Sequence, residues 1–171
     1  MPGSRLPLFA AALAVGVALS PLAKADETPL ERGKYLMNSI VACGNCHTPK
    51  GPSGRALADQ ELAGGGVFDA PVFHAVSPNI TPDKETGIGN WTDEQIAAAI
   101  TTGVRPDGRI LAPIMPWRSF AKMTKSDVDA LVAFLRSLPP VSNKVPGPFG
   151  PNEKPPIYVM TLVPPDAGAA K

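Results

Sequence analysis

Two cysteines and one histidine lie within five residues of one another, in the segment Cys43-Gly-Asn-Cys46-His47. They are the only cysteines of the chain. Residues three apart on a helical turn share a face, so both thiols can reach one flat group. The pattern C-x-x-C-H is typical of covalent haem attachment, in which each cysteine adds to one vinyl group. His47 would then give its ring nitrogen to the iron as the proximal ligand.

Three other uses of this cysteine pair fit the sequence less well. A zinc site needs four ligands, and Cys43, Cys46, His47 and the distant His74 lack the second paired motif of zinc modules. A thioredoxin-like redox pair needs strands that alternate with helices, and the sequence shows no such alternation. A disulfide across two residues would close a very small loop, stabilise little and leave His47 without a role. The sequence therefore predicts one covalently bound haem c with its iron.

The second axial ligand of the iron decides between an electron carrier and a catalyst. An open position invites oxygen or peroxide chemistry, whereas a methionine thioether closes the position and raises the reduction potential. Met115 is the best candidate because Pro113 and Pro116 flank it and stiffen the backbone that would hold its sulfur. We therefore predict Met115 as the second axial ligand, against the alternative that it fills a gap in the core.

The remaining methionines and the second histidine have simpler interpretations. Met37 lies within two turns of Cys43, on the same side of the haem, and cannot reach around it. Met123 precedes a predicted helix, where packing in the core is the simpler expectation, and Met160 lies in a proline-rich tail. His74 is the runner-up ligand, although a lone histidine more often packs or forms a hydrogen bond.

The N-terminus has the pattern of a secretory signal peptide. Arg5 gives a positive start, an apolar run covers residues 6–19, and Ala23-Lys24-Ala25 fits a cleavage site. The run is shorter than the ~20 apolar residues that a spanning helix needs, so we expect cleavage after Ala25 and a periplasmic protein. Without Arg5 and Lys24 the formal net charge falls from +1 to −1. That charge excludes the basic footprint of a nucleic-acid-binding protein.

Three helices are predicted from their N-terminal capping patterns, at Thr28-Pro29-Leu30-Glu31, Thr92-Asp93-Glu94-Gln95 and Thr124-Lys125-Ser126-Asp127. The last helix carries an apolar stripe, formed by Val128, Leu131, Val132, Leu135 and Leu138. Between residues 48 and 90, 12 of the 43 residues are glycine or proline, which predicts a belt of loops. Within that belt, the triple glycine at 64–66 is interpreted as turn material.

Several motifs together resemble those of class I c-type cytochromes. They are CGNCH, PNITPD at 78–83, GIGNWTDEQI at 87–96, PDGRILAPIMPW at 106–117 and ALVAFLRSLPPV at 130–141. The likeness is strongest to the haem domains of cytochrome c subunits of bacterial periplasmic dehydrogenases of the alcohol type. It implies an all-α, class I cytochrome c fold, with helices and long loops wrapped around one haem. It also implies thioether bonds at Cys43 and Cys46 and axial ligands at His47 and Met115.

The same resemblance implies that Gly33 lets the first helix cross closely over the last, near Phe134. We divide the chain into a signal peptide (1–25), a cytochrome c domain (26–141) and a proline-rich extended tail (142–171). An apolar patch at 157–163 of the tail would contact either the haem domain or another subunit.

The expected function is single-electron transfer by a carrier that has no catalytic residues of its own. Its partners would be redox proteins, with a dehydrogenase as donor and a cytochrome or oxidase as acceptor. A peripheral association with the membrane through a complex is compatible with this function. Two alternatives stay open: a peroxidase-like haem enzyme if Met115 does not bind iron, and a fixed electron-transfer subunit of a dehydrogenase.

Other side chains could serve the haem in lesser ways. Trp91, Trp117 and Tyr35 are candidates to line its pocket, and Asn79 is a candidate hydrogen-bond donor to a haem propionate. Basic residues exceed the single acid Asp107 around Met115, namely Arg105, Arg109, Arg118, Lys122 and Lys125. They form either a solvated basic face or a set that neutralises propionates and attracts an acidic partner.

Overall fold

The computed structural model describes residues 26–70, 73–149 and 160–161. The predicted signal peptide and most of the predicted tail lie outside these ranges. The described elements are, in chain order, helix α1 (Pro29–Tyr35), a π-helical turn (Leu36–Ile40), α2 (Gly44–His47), a 3-10 turn (Ala58–Gln60), strands β1 (Val67–Ala70) and β2 (Phe73–Val76), helices α3 (Asp93–Thr102), α4 (Trp117–Phe120) and α5 (Lys125–Ser137), and strand β3 (Met160–Thr161).

Two of the predicted capping boxes are confirmed. At α1, the Thr28 hydroxyl accepts a hydrogen bond from the Glu31 N–H at 3.2 Å, and the Glu31 carboxylate accepts from the Thr28 N–H at 2.9 Å. At α3, Thr92 and Gln95 form the same reciprocal pair. These bonds satisfy backbone donors that have no partner inside a helix, so they fix where both helices begin.

The third predicted box is only half formed. The Thr124 hydroxyl accepts a hydrogen bond from the Asp127 N–H at 3.1 Å and caps α5. The Asp127 carboxylate, however, accepts from Arg32 Nε of α1 at 2.8 Å. Aspartate is one methylene shorter than the glutamate of a complete box, and here its carboxylate joins the two helices instead.

Helices α1 and α5 cross in close contact, as the resemblance implies. Gly33 of α1 is buried, and a Cβ atom at that position would lie 2.0 Å from the Ala130 carbonyl oxygen and 2.8 Å from Phe134 Cβ. Only a glycine permits this approach. The core next to the crossing consists of buried apolar side chains from the π-helical turn, α3, α5 and the intervening loops, namely Leu36, Met37, Leu62, Ile88, Ile96, Leu131, Val132 and Leu135.

Two strands of a small sheet lie inside the segment that was predicted to be a belt of loops, and the third lies in the predicted tail. β1 pairs antiparallel with β2, with Val67 opposite Val76, and parallel with β3, with Phe68 opposite Met160. The all-α prediction therefore omits a sheet of order β2-β1-β3. The strands are only two to four residues long and lie among glycines and prolines, so their alternating pattern is too short to stand out in the sequence.

The longest described helix, α5, has 13 residues. None of the helices in residues 26–70 and 73–149 is long and apolar enough to span a membrane.

Candidate haem-binding site

Helix α2 brings the two cysteines and the histidine together. Its single turn is closed by hydrogen bonds from the N–H groups of Cys46 and His47 to the Cys43 carbonyl, at 3.2 and 2.9 Å. Both cysteines are free and partly exposed. Burial of the thiol group raises the pKa of Cys43 to about 12, so this cysteine stays a protonated thiol. The structure therefore presents two unpaired thiols one helical turn apart.

A strained residue separates α1 from this turn. The π-helical turn ends with a hydrogen bond of 2.8 Å from the Val41 N–H to the Leu36 carbonyl. Ala42 then has a φ of 51°, in the left-handed region that side chains with a Cβ rarely adopt. This reversal ends the first helical segment and lets Cys43 begin α2.

The conformation of Ala42 gives a prediction for stability. We expect Ala42→Val to lower the free energy of unfolding by about 1–2 kcal/mol, because a β-branched side chain crowds the left-handed backbone further. Ala42→Gly should leave it unchanged or raise it slightly, since the relief of strain offsets the greater freedom of the unfolded chain. Denaturant unfolding of the purified protein measures both values.

A matched control for this prediction is Ala56→Val. Ala56 is exposed and lies in an extended β-bridge with Lys50, where a β-branched residue is favourable. The control should change the free energy of unfolding by less than about 0.5 kcal/mol. Equal effects of valine at both positions would show that the conformation of Ala42 carries no strain.

His47 is buried, with 7% of its surface exposed, and its ring has a defined orientation. Its Nδ1 lies 2.8 Å from the Pro78 carbonyl oxygen. A carbonyl only accepts hydrogen bonds, so Nδ1 carries the proton and Nε2 keeps its lone pair. Burial lowers the pKa of His47, and the bond to Pro78 offsets this only in part, so the ring is neutral at neutral pH. A neutral imidazole with a free Nε2 is the form that binds iron.

The triple glycine packs α2 against the segment that carries this carbonyl. Gly64 N–H donates to the His47 carbonyl at 2.6 Å, and Ser77 Oγ donates to the Cys46 carbonyl at 2.5 Å. A Cβ on Gly66 would lie 2.2 Å from the Cys46 carbonyl oxygen. The glycines are therefore spacers between two backbone segments rather than turn material alone. Neither Ser77 nor this spacing role was predicted from the sequence, in which the three consecutive glycines are the available signal.

Pro78 is followed by a buried asparagine, Asn79, whose side-chain oxygen and nitrogen both form hydrogen bonds within the protein. Asn79 Oδ1 accepts hydrogen bonds from Thr81 N and Oγ1, at 2.9 and 2.7 Å. Asn79 Nδ2 donates to Thr86 Oγ1 at 3.0 Å and to the Val141 carbonyl at 2.7 Å. No donor of this amide remains for a haem propionate. The structure therefore does not support the predicted hydrogen bond from the Asn79 side chain to a haem propionate.

Met115 lies on a separate loop, between α3 and α4. This loop starts as a hairpin in which Leu111 N–H donates to the carbonyl of Gly103 at 2.8 Å. Met115 is partly buried, and a tight turn follows it, with the Trp117 N–H bonded to the Met115 carbonyl at 2.8 Å. The role of Met115 as a ligand stays a prediction, but its backbone is held by hydrogen bonds on both sides.

The competing candidates have other positions. Met37 is buried in the core cluster and Met123 packs against it, as predicted for Met123. β3 places Met160 in the sheet, and β2 places His74 opposite Asp69. Met37 and Met123 thus have packing roles, and neither lies on the loop between α3 and α4 that carries Met115.

The aromatic candidates differ in their surroundings. Trp91 packs against the core, with the Arg105 guanidinium 5.2 Å from its ring centre. Trp117 Nε1 is buried and has no hydrogen-bond partner among the described residues, and Arg118 lies 4.3 Å over its ring. Tyr35 is 50% exposed on the surface of α1, so the structure does not support its place in a pocket lining.

Carboxylates partly neutralise the basic residues around Met115. Asp107 forms ion pairs with Arg105 at 3.4 Å and with Arg109 at 3.9 Å, and Lys125 pairs with Asp129 at 2.6 Å. Such exposed pairs contribute little to stability. Their effect is to reduce the excess positive charge that the sequence indicates for this face.

The residues present fit a haem better than a bare metal ion. No three His, Cys, Asp or Glu side chains converge within the described part of the chain, so they do not form an ion site of the zinc type. The protein instead offers two free thiols, a neutral imidazole with Nε2 available, and a thioether on a separate loop. The buried Trp117 N–H is a donor that a carboxylate of the bound group could satisfy.

Comparison with known proteins places the chain in a family. The cytochrome c family model matches residues 30–139. The cytochrome c subunit of alcohol dehydrogenase (quinone) from Gluconobacter oxydans (strain 621H) is 36% identical over 147 residues, which cover 84% of this chain and 29% of that protein. The fructose dehydrogenase cytochrome subunit of Gluconobacter japonicus is 38% identical over 134 residues, 74% of this chain and 26% of that protein.

A third relative is the diheme cytochrome c-type protein of Cereibacter sphaeroides, 37% identical over 98 residues, 57% of this chain and 32% of that protein. The chain thus spans less than a third of the length of each of these three relatives. The family match itself extends from the second residue of α1 to just beyond α5. By its motif, its fold and this match, the chain belongs to the cytochrome c family.

Proposed function

We propose that this protein is a mono-haem c-type cytochrome that carries single electrons in a bacterial periplasm, from a dehydrogenase toward the respiratory chain. Membership of the cytochrome c family implies covalently bound haem c with iron. The observation that carries the proposal is the neutral His47, held by the Pro78 carbonyl at 2.8 Å beside two free cysteines. The dehydrogenase as donor is suggested by relatives that are cytochrome subunits of alcohol and fructose dehydrogenases.

Four residues of the chain would hold the haem, each in its own role. Cys43 and Cys46 would each form a thioether, His47 would bind through Nε2, and Met115 would supply the second axial ligand. Haem, when bound, supplies an iron that changes between ferric and ferrous with no bond made or broken. Hydrogen bonds fix the backbone at His47 and at Met115. The protein around the iron should therefore rearrange little when an electron is gained or lost. No side chain has to gain or lose a proton, which is why no residue is proposed as catalytic.

A fixed subunit of a dehydrogenase is the second candidate. Two relatives favour this candidate, because they are cytochrome subunits of dehydrogenases. Each of these two proteins is more than three times as long as its region that matches this chain. Purification of the tagged protein from native periplasm and membranes distinguishes the two candidates. A dehydrogenase that co-purifies at a constant ratio supports the subunit, and a protein that elutes alone supports the free carrier.

Covalent haem and export are tested together by intact mass. After acid–acetone extraction, the native protein should have the mass of a polypeptide that starts at Asp26 plus one haem. The double variant Cys43→Ala/Cys46→Ala is the matched control and should lose the haem mass, because no thioether can form. A native polypeptide without haem and with a Cys43–Cys46 disulfide would contradict the proposal. A mature chain that retains residues 1–25 would indicate an anchored cytochrome instead.

A further inference from the structure

We propose that Asn79 is a positioning residue for His47: through its buried amide it ties the Pro78 carbonyl to the segment after α5 and thereby sets the hydrogen bond of the proximal imidazole. This inference rests on the proposed function, because it assigns to Asn79 an effect on the iron. Nothing in the C-x-x-C-H motif indicates it, since Asn79 lies more than 30 residues after His47.

Asn79 directly follows Pro78, whose carbonyl oxygen accepts the hydrogen bond of the His47 ring. Its side chain is 1% exposed and forms the four hydrogen bonds described above, to Thr81, Thr86 and Val141. The bonds to Thr81 close a local turn around Oδ1, and the bonds from Nδ2 reach outside that turn. Buried networks with every group satisfied have a single favoured arrangement. The Pro78–Asn79 peptide is therefore held from its C-terminal side.

The backbone segment 141–143 anchors the Asn79 side chain. Val141 accepts from Asn79 Nδ2 at 2.7 Å, and its N–H donates to Thr81 Oγ1 at 3.2 Å. Two residues later, Asn143 donates from its N–H to Thr86 Oγ1 at 3.0 Å and from Nδ2 to the Ala63 carbonyl at 2.9 Å. The segment thus contacts both the loop of Asn79, Thr81 and Thr86 and the loop of Ala63, and it crosses the predicted domain boundary after residue 141.

The Pro78–Asn79 peptide has little room to move on its other side, where Gly64 lies. A Cβ on Gly64 would lie 2.6 Å from Asn79 N, and Gly64 N–H donates to the His47 carbonyl at 2.6 Å. The Pro78–Asn79 peptide therefore lies between the glycine spacer and the 141–143 segment. Loss of the Asn79 amide removes the support from the 141–143 segment and leaves the glycine spacer in place. The Pro78 carbonyl can then move away from the His47 imidazole.

The chemical consequence concerns the basicity of His47. A ring N–H that donates to a well-placed acceptor gives a more basic imidazole, which favours ferric over ferrous iron. A weaker bond to Pro78 should therefore raise the reduction potential. It should also expose the Nδ1 proton to exchange with solvent.

The test compares Asn79→Ala with Val132→Ala in the haem-loaded protein. Val132 is a buried residue of α5 in the core cluster and is not part of this hydrogen-bond network, so its truncation should lower stability by a cavity effect alone. Two quantities are measured, the reduction potential and the exchange rate of the His47 Nδ1 proton by NMR of the reduced protein. We expect Asn79→Ala to raise the reduction potential, and Val132→Ala to leave it near the native value. The His47 Nδ1 proton should exchange several-fold faster in Asn79→Ala than in Val132→Ala.

A milder variant covers the case in which Asn79→Ala does not fold. Thr81→Val keeps the side-chain shape. It removes the hydrogen bond that the Thr81 hydroxyl donates to Asn79 Oδ1 and the one that it accepts from the Val141 N–H, and it leaves the bond from the Thr81 backbone N–H in place. It should shift the potential in the same direction and by less. Unchanged potentials and exchange in the folded Asn79 and Thr81 variants, or equal changes in Val132→Ala, would overturn the inference. A protein without covalent haem would instead refute the proposed function, which the mass experiment detects separately.

Discussion

Replacement of Met115 by alanine is expected to open the second axial position of the iron and to leave the haem covalently attached. The thioether favours ferrous iron, so its loss should lower the reduction potential by on the order of 0.1 V, within the roughly 0.8 V range over which axial ligands set haem potentials. The weak far-red absorption of sulfur-ligated ferric haem should disappear. Carbon monoxide should bind the reduced variant readily, and a weak peroxidase activity should follow from the open position.

The controls for this result are substitutions of Met123 and His74, two other candidates for the second axial ligand. Met123→Ala and His74→Ala should keep the far-red band and a near-native potential, because Met123 packs against the core and His74 lies in β2. If either of these substitutions removes the band while Met115→Ala leaves it, the ligand assignment is wrong.

Gly33→Ala should have the largest effect on stability. Alanine has a higher helix propensity than glycine by about 1 kcal/mol, which alone would stabilise α1. Its Cβ, however, would lie 2.0 Å from the Ala130 carbonyl oxygen, which belongs to the backbone of α5. The helices would have to separate, and we expect a net loss of about 3 kcal/mol or failure to incorporate haem. Thermal unfolding and the haem content of the purified variant measure this.

Gly44→Ala is the matched control, because it is also a helical glycine. The nearest atom to its added Cβ would be Thr48 Oγ1 at 3.5 Å, an ordinary contact. The C-x-x-C-H motif accepts any residue at this position, so haem attachment should be retained. Equal losses of stability in both variants would mean that the α1–α5 crossing tolerates a Cβ.

The features that the sequence predicted correctly depend on neighbours along the chain. Thr28 and Thr92 cap their helices because each partner is three residues away, and the α5 stripe follows from the helical period. The Gly33 crossing is a contact distant in sequence, and only the family resemblance predicted it.

The features that were missed depend on contacts between distant segments. Ser77 donates to the Cys46 carbonyl 31 residues away, and Asn79 to the Val141 carbonyl 62 residues away. Neither periodicity nor a local motif marks such a residue, so Asn79 was assigned to a propionate on its polarity alone. The Asp127 carboxylate was likewise expected to cap its own helix, and only the fold shows that Arg32 binds it.

The absorption spectrum of the native ferric protein in the far red tests the central claim most directly. A closed site with His47 and Met115 as axial ligands predicts a weak far-red band, and reduced protein that binds little carbon monoxide. A native protein that lacks the band and, when reduced, binds carbon monoxide readily would contradict the electron carrier and leave a haem enzyme with an open position.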